Sequence, residues 1–210
     1  MQRLDPGLIE VRSLEIVRGL LRGLDFPGPE REVAIRVVHA TGDPGLAAQL
    51  RFHPRAGAEG VRGLRAGCSV FTDVEMVRAG IDRRRLANLG GEVLCLVDDP
   101  EVITEAGRAG CTRAAAAMRT FGHRLDAQVV AIGNAPTALV ELCGLIELGG
   151  VRPALVVGTP VGFVGALEAK ELLQQTGVPF ITLPGIRGGS PIAAAIVNAL
   201  LRLAERGEAG

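Results

Sequence analysis

The sequence contains 210 residues, 48% of them hydrophobic, and its 23 basic and 23 acidic side chains give a formal net charge of zero. A chain of this size buries a large core, and the balanced charge excludes the broad basic surface expected of a nucleic-acid or membrane-surface binder. Because no apolar run reaches the length of a membrane span and no secretion signal is recognisable, we expect a single cytoplasmic domain over residues 1–210.

Four cysteines are spread along the chain, at Cys68, Cys95, Cys111 and Cys143. None has a close partner, and paired spacing is what zinc and redox motifs require. We therefore expect reduced thiols and predict no metal site at the cysteines.

The first predicted element is a helix over residues 6–24. Its predicted buried stripe consists of apolar residues at helical spacing, namely Ile9, Ile16, Val17, Leu20 and Leu24. Ser13 falls within that stripe, where a hydroxyl either bonds to the preceding turn of the helix or faces a polar ligand. Ser13 is therefore a candidate substrate contact.

A second helix is predicted over residues 30–41, because acidic residues occupy its first turn and Gly42-Asp43-Pro44 follows its end. His39 lies in the last turn. Histidine changes charge near neutral pH, which suits proton transfer, but a lone histidine also serves structural roles. Local sequence leaves both interpretations open. Asp43 is predicted to cap a short helix through Leu50, and residues 55–66 are predicted to form another helix.

Five short apolar runs, each followed by a helical segment, occupy the rest of the chain. They cover residues 68–71, 93–97, 129–132, a stretch that opens at Leu155, and residues 179–183. This alternation predicts a three-layer α/β fold with a mainly parallel five-stranded sheet and helices on both faces. A final helix is predicted to end near Leu203, with residues 204–210 as a frayed tail.

Polar and glycine-rich turns follow these runs. Ligands of parallel sheets gather beyond the carboxyl ends of the strands, where the sequence places Asp73, Asn134, Thr137, Thr159, Arg187 and Ser190. The last turn, Arg187-Gly188-Gly189-Ser190, combines a guanidinium group with main-chain N–H groups at a helix start, and both suit a carboxylate. Several such turns at one edge predict a ligand that carries several acids.

Two of the polar residues also have a purely structural interpretation. Asp73 precedes a helical segment and could serve only as its N-cap. Arg113 stands in a first helical turn behind the capping residue Thr112, where a positive charge is unfavourable. That mismatch favours either a ligand contact or a salt bridge for Arg113.

The sequence lacks several familiar motifs. The glycine-rich turns of dinucleotide and nucleoside-triphosphate sites are missing, as is the Gly-x-Ser-x-Gly motif of α/β-hydrolases. Because no glycine-rich turn follows the first predicted strand, a methyltransferase that uses S-adenosylmethionine is also disfavoured. Lys170 is the only lysine, which raises the alternative of a lysine-dependent lyase. Since Lys170 lies beside Glu168 and Glu171 in a helical segment, we predict a solvated position for it.

Taken together, seven segments resemble the precorrin-8X methylmutase (precorrin isomerase) family. They are Ser13, Arg36-Val37-Val38-His39-Ala40-Thr41-Gly42, residues 72–77, Thr112-Arg113-Ala114-Ala115-Ala116, residues 132–139, Pro160-Val161-Gly162-Phe163-Val164-Gly165-Ala166 and residues 187–190. The resemblance spans almost the whole chain. It implies a cofactor-independent isomerase that moves a methyl group from ring carbon 11 to ring carbon 12 of precorrin-8X or cobalt-precorrin-8, giving hydrogenobyrinate or its cobalt-containing counterpart.

The resemblance also implies roles for residues. His39 is expected to be the proton donor and acceptor. The expected substrate contacts are Ser13, Asp73, Thr112, Arg113, Asn134, Ala135, Pro136, Thr137, Gly162, Phe163, Arg187, Gly188, Gly189 and Ser190. A homodimer with sites near the subunit interface is implied as well. Leu14 departs from the family pattern, which has Phe after the serine. The alternative function is a non-catalytic corrinoid carrier on the same fold.

Overall fold

Two layers of helices enclose a six-stranded sheet in the computed structural model, which describes residues 6–207. The helices are α1 (Pro6–Leu20), α2 (Gly28–Thr41), α3 (Ala56–Arg65), α4 (Glu75–Gly80), α5 (Arg83–Asn88), α6 (Pro100–Ala109), α7 (Arg113–Thr120), α8 (Pro136–Glu147), α9 (Ala166–Gln175) and α10 (Ser190–Arg206), with 3-10 helices at Pro44–Gln49 and Gly122–Arg124. The strands are β1 (Arg51–Phe52), β2 (Val70–Thr72), β3 (Val93–Cys95), β4 (Val129–Ile132), β5 (Leu155–Gly158) and β6 (Phe180–Thr182).

The strand order is β1-β6-β5-β4-β2-β3. Strands β2 to β6 are mutually parallel, as predicted, while β1 pairs antiparallel with β6 at the edge. The prediction of five strands is therefore corrected to six. A strand of two residues, Arg51 and Phe52, carries no periodic signal, so its pairing with Thr182 and Ile181 is decided by the tertiary fold.

The strands alternate their side chains between two separate cores, as the pleat requires. Val129 and Ala131 face a core built with α1 to α5 and α10, whereas Val130 and Ile132 face a core built with α7, α8 and α9. Helix α6 packs on α7 through a third, smaller cluster that includes Val102 and Ala116. Helices on both faces of the sheet confirm the predicted layers.

Helix α1 turns a partly different face to the core from the one predicted. Its buried residues are Leu14 and Val17, followed by Leu21 just beyond its end, while Ile9, Ile16 and Leu20 are 50%, 58% and 59% exposed. The prediction was right for Val17 and for Leu24, which packs against the core, and wrong for the other three. Apolar residues lie on more than one side of this helix, and periodicity alone did not decide which side meets α2.

Two further predictions concern the ends of elements. The Asp43 carboxylate accepts a hydrogen bond from Gly45 N at 2.9 Å and so caps the 3-10 helix, as predicted. Helix α10 continues to Arg206 with Ala204 buried, so the predicted tail begins too early; residues 208–210 lie outside the described part. Between residues 6 and 207, no helix has both the length and the apolar content that a bilayer crossing demands.

Candidate active site

The connections of the sheet reverse direction at β2. The chain passes from β2 to β3 on one side and then returns to β4 on the other, which makes the carboxyl ends of β2 and β4 the switch point of the sheet. Such switch points are where open parallel sheets bind ligands. Asp73 follows β2 and Gly133-Asn134-Ala135 follows β4, so both predicted segments meet at this point.

The Asp73 side chain is wholly buried there and is bonded to backbone. Its Oδ1 accepts from Gly133 N at 3.1 Å, and its Oδ2 accepts from Asn134 N at 2.7 Å and from Ala135 N at 2.6 Å. It does not cap α4, since Val74 holds the N-cap position. Burial raises the pKa of Asp73, an effect that the three N–H groups oppose. The buried carboxylate thus fixes the backbone of the turn after β4.

Thr112 and Thr137 meet on the surface beside this turn. Their hydroxyl oxygens are 2.7 Å apart, and Thr112 also accepts from Ala115 N at 3.2 Å, which confirms the predicted cap of α7. Arg113 donates to Asp98 at 2.6 Å, and both side chains are exposed. The sequence left a ligand contact or a salt bridge as explanations for Arg113, and the structure shows the salt bridge.

The turns after β5 and β6 are bonded to one another. Gly162 N donates to Ile186 O at 3.1 Å, and Gly189 N donates to Thr159 O at 2.8 Å. A Cβ at position 188 would lie 2.3 Å from Thr159 O, so only glycine fits there. Gly189 has a φ of 123°, which a residue with a side chain rarely adopts.

These paired turns bring the remaining predicted contacts to the same edge. Ser190 starts α10 and is buried, while Asn134, Thr137 and Arg187 are exposed. Phe163 is 89% exposed, as is its neighbour Val164. The edge thus combines polar side chains with an apolar projection, an arrangement that suits a large ligand with both kinds of surface.

Lys170 is fully buried, so the prediction of a solvated position was wrong. Its Nζ donates to Arg187 O at 2.8 Å and thereby anchors the turn after β6 to α9. Burial lowers the pKa of Lys170 to about 8. The signal that could have revealed its burial is the spacing of Ala166, Ala169 and Leu173, the buried residues on the same face of the helix.

The buried ammonium makes stability depend on pH in a defined direction. At pH values below about 8, Lys170 is charged in both the folded protein and the unfolded chain, and burying the charged ammonium lowers the stability of the folded protein. Between pH 8 and 10.5 the folded protein has lost this proton and the unfolded chain has kept it, so the free energy of unfolding rises with pH. Between pH 8 and 10.5, we expect the free energy of unfolding to rise by about 1 to 3 kcal/mol more in the parent protein than in a Lys170→Met variant.

Urea denaturation of both proteins across this pH range measures the difference. The Lys170→Met variant lacks the ammonium but keeps every cysteine, so changes caused by thiol ionisation cancel. Unfolding free energies that run parallel with pH in the two proteins contradict the prediction.

Arg187 connects this edge to α2. Its guanidinium forms an ion pair with Asp43, which lies just beyond the carboxyl end of that helix. His39 is in the last turn of α2, and Gly42 N closes the helix on Val38 O at 2.8 Å. The predicted catalytic histidine is therefore carried on a helix whose end is fixed to the predicted carboxylate-binding turn.

Ser13 and His39 are in direct contact. The Ser13 Oγ and His39 Nδ1 atoms are hydrogen bonded at 3.0 Å, which brings together two candidates separated by 26 positions in sequence. The bond fixes the plane of the imidazole and leaves Nε2 for a ligand. Both residues are half-buried. A serine on α1 thus orients the side chain that the sequence singled out for proton transfer.

His39 also lines a cavity that sequence reasoning missed. Its volume is about 180 Å³, and its wall includes Arg36, Arg85, Asn198 and Arg202. No sequence signal joined these residues, because they belong to three helices. Within residues 6–207, no cluster of three side chains is suited to hold a metal ion.

Residues 8–203 match a protein-family model, CbiC, described as precorrin-8X methylmutase. The chain is 41% identical over 202 residues to the cobalt-precorrin-8 methylmutase of Priestia megaterium, a match that covers 96% of this chain and 90% of that protein. It is 41% identical over 198 residues to the precorrin-8X methylmutase of Pseudomonas aeruginosa, covering 93% and 95% respectively. The solved structure of precorrin-8x methyl mutase from Thermus thermophilus superposes with a TM-score of 0.88 and 39% identity, covering 95% of this chain and 98% of that one.

Proposed function

Because the chain belongs to the precorrin-8X methylmutase family, isomerases of cobalamin biosynthesis, we propose that it moves a methyl group from ring carbon 11 to ring carbon 12 of precorrin-8X or cobalt-precorrin-8, with His39 as proton donor and acceptor. The observation that carries the proposal is the Ser13–His39 hydrogen bond beside a cavity lined by cationic side chains. The products are hydrogenobyrinate and its cobalt-containing counterpart.

The chemistry needs a proton at the right place but no external methyl donor. In a [1,5]-sigmatropic shift, the bond from the methyl group to carbon 11 breaks as the bond to carbon 12 forms, so the mass of the macrocycle is unchanged. The imidazole of His39, oriented by Ser13, holds or delivers the proton that selects the reactive tautomer. Histidine suits this role because both of its protonation states are accessible near neutral pH.

The sheet edge supplies contacts for a polycarboxylate ring. Arg187 uses part of its guanidinium on Asp43, and its other N–H groups stay available for a substrate acid. At the start of α10 the N–H groups of Gly189, Ile192 and Ala193 already donate within the protein and Pro191 has none, so Arg187 is the donor that we propose for a substrate acid at this turn. Phe163 offers an apolar surface to the flat face of the macrocycle. The other contacts that we propose here are Thr112, Arg113, Asn134, Ala135, Pro136 and Thr137. They lie in the turn after β4 and the start of α8, or beside them through the Thr112–Thr137 hydrogen bond.

A second copy of the chain completes the assembly that we propose. The outward side of α1 carries Leu8, Ile9, Ile16 and Leu20, all exposed, and Ser13 lies on the same helix. Pairing of two copies through this side buries the apolar residues and encloses the Ser13–His39 pair. Sedimentation equilibrium should give a dimer, and an Ile16→Asp, Leu20→Asp double variant should give a monomer. A monomeric parent protein contradicts this part of the proposal.

The function is tested by incubating the purified protein separately with precorrin-8X and with cobalt-precorrin-8. We expect a change in absorption spectrum and a product of unchanged mass, over many turnovers and without added S-adenosylmethionine. A carrier would instead alter the spectrum once per binding site and release unchanged ligand. If neither compound is converted, the proposed isomerisation is wrong.

A further inference from the structure

The backbone on either side of Arg187 is fixed by the turn after β5. Ile186 O accepts from Gly162 N at 3.1 Å, and Gly189 N donates to Thr159 O at 2.8 Å. These two bonds hold the residues around Arg187, but neither reaches the carbonyl group of Arg187 itself. That carbonyl group is held by a side chain from another element.

The side chain is Lys170, which lies in the middle of helix α9 and is fully buried. Its Nζ donates to Arg187 O at 2.8 Å, across 17 positions of sequence. Lysine combines a long, flexible stem with a terminal donor that carries a charge. The lone lysine of the chain is therefore used to hold one peptide group in a turn at the proposed substrate-binding edge.

The buried ammonium has no counter-charge. Its neighbours Glu168 and Glu171 are exposed, and burial is the one cause of the lowered pKa of Lys170, without a contribution from a carboxylate among residues 6–207. A buried charge without an ionic partner lowers stability, and an apolar side chain of similar volume often stabilises the fold better. Stability therefore does not explain why a lysine occupies this position.

The shape of the turn explains it better. Gly188 and Gly189 follow Arg187 directly, and glycine allows backbone rotations that other residues resist. The hydrogen bond from Lys170 restrains the peptide group between Arg187 and Gly188, and with it the direction in which the arginine side chain leaves the backbone. The guanidinium group then reaches Asp43, with which it forms an ion pair.

We propose that Lys170 is a positioning residue for the substrate: by holding the Arg187 carbonyl group, it keeps the guanidinium group where a carboxylate of precorrin-8X or cobalt-precorrin-8 binds. The assignment rests on the proposed function. Lys170 touches no substrate in this account and acts only through Arg187. A residue that lowers stability while it organises a binding site is an instance of the trade-off between stability and activity.

The first test compares Lys170→Met with Gln175→Met, a control at the exposed end of the same helix. In Lys170→Met, KM for precorrin-8X should rise about 10-fold, as expected when one charge-assisted contact is lost. The kcat value should change little, because the Ser13–His39 pair is untouched. Gln175→Met should leave both constants unchanged.

A double-mutant cycle tests whether Lys170 acts through Arg187. Arg187→Met should raise KM at least as much as Lys170→Met does. The double variant should then be no worse than Arg187→Met alone, because the group that Lys170 positions has already gone. If the two single effects multiply instead, Lys170 acts elsewhere and the proposal is overturned.

Stability separates positioning from a merely structural role. At pH 7 the free energy of unfolding of Lys170→Met, measured with urea, should not fall below that of Gln175→Met, because removal of the buried charge offsets the lost hydrogen bond. A large loss of stability that accompanies the rise in KM assigns Lys170 a structural role and overturns the proposal.

Equilibrium binding of hydrogenobyrinate, followed by absorption, does not depend on turnover. Its Kd should rise about 10-fold in Lys170→Met. An active parent protein whose KM and Kd are unchanged in Lys170→Met overturns the positioning role and leaves the methylmutase activity intact. A parent protein that binds hydrogenobyrinate but does not convert precorrin-8X, and whose binding weakens in Lys170→Met, keeps the positioning role and overturns the proposed function.

Discussion

Replacing His39 with alanine is expected to lower kcat for precorrin-8X by about 10²- to 10⁴-fold, the usual contribution of a positioned acid or base. KM should change much less, because the carboxylate contacts that we propose at the sheet edge do not involve His39. Steady-state kinetics followed by absorption measures both constants. The variant should fold normally, since the imidazole is half-buried and, within residues 6–207, its hydrogen bond is to Ser13.

His123→Ala is the matched control for this prediction. His123 lies in the 3-10 helix Gly122–Arg124 and is exposed, so its loss should leave kcat unchanged. The kcat of Ser13→Ala should lie between those of His39→Ala and His123→Ala, because this change removes the hydrogen bond that orients the imidazole but keeps the imidazole itself. Full activity in His39→Ala shows that the proton role belongs elsewhere.

Replacing Asp73 with alanine is expected to lower the free energy of unfolding by about 3 to 5 kcal/mol, the largest loss of stability that we predict. The change leaves the N–H groups of Gly133, Asn134 and Ala135 without their common acceptor at a site from which water is excluded. Asp73→Asn should cost less, since the amide oxygen still accepts. Urea denaturation at neutral pH measures both changes.

Asp126→Ala is the matched control for stability. Asp126 also accepts a backbone N–H, from Arg152 at 2.8 Å, but it is exposed, so water replaces the lost acceptor. Its loss should cost no more than about 1 kcal/mol. Equal losses in the two alanine variants contradict the structural role assigned to Asp73.

Local patterns were sufficient for most of the elements. The apolar runs at β2 to β6 are found where predicted, because strands buried on both faces read as continuous apolar sequence. Helix α2 and the caps provided by Asp43 and Thr112 were predictable for a similar reason, since capping depends on residues a few positions apart. The motif series that resembles the methylmutase family was readable in the same way.

Other features depended on contacts that no local pattern contains. The edge strand β1 exists because Arg51 and Phe52 reach β6. The exposed side of α1 follows from which face that helix turns toward its neighbours, because the sequence gives the period of a helix but not its rotation. Lys170 differs: the spacing of Ala166, Ala169 and Leu173 indicated its burial, but the neighbouring glutamates favoured the solvated position that was predicted.

By itself, the sequence determined the parallel α/β architecture, the polar turns at one edge of the sheet and the resemblance that singled out His39. Only the tertiary structure decided that Ser13 is hydrogen bonded to His39, that the Asp73 carboxylate accepts hydrogen bonds from backbone N–H groups, and that three arginines line the cavity beside the imidazole. The physical reason is the separation in sequence of the residues that interact. Strands, turns and caps are set by neighbours a few residues apart, whereas a site is made by side chains that only the packing of distant helices brings within hydrogen-bonding distance.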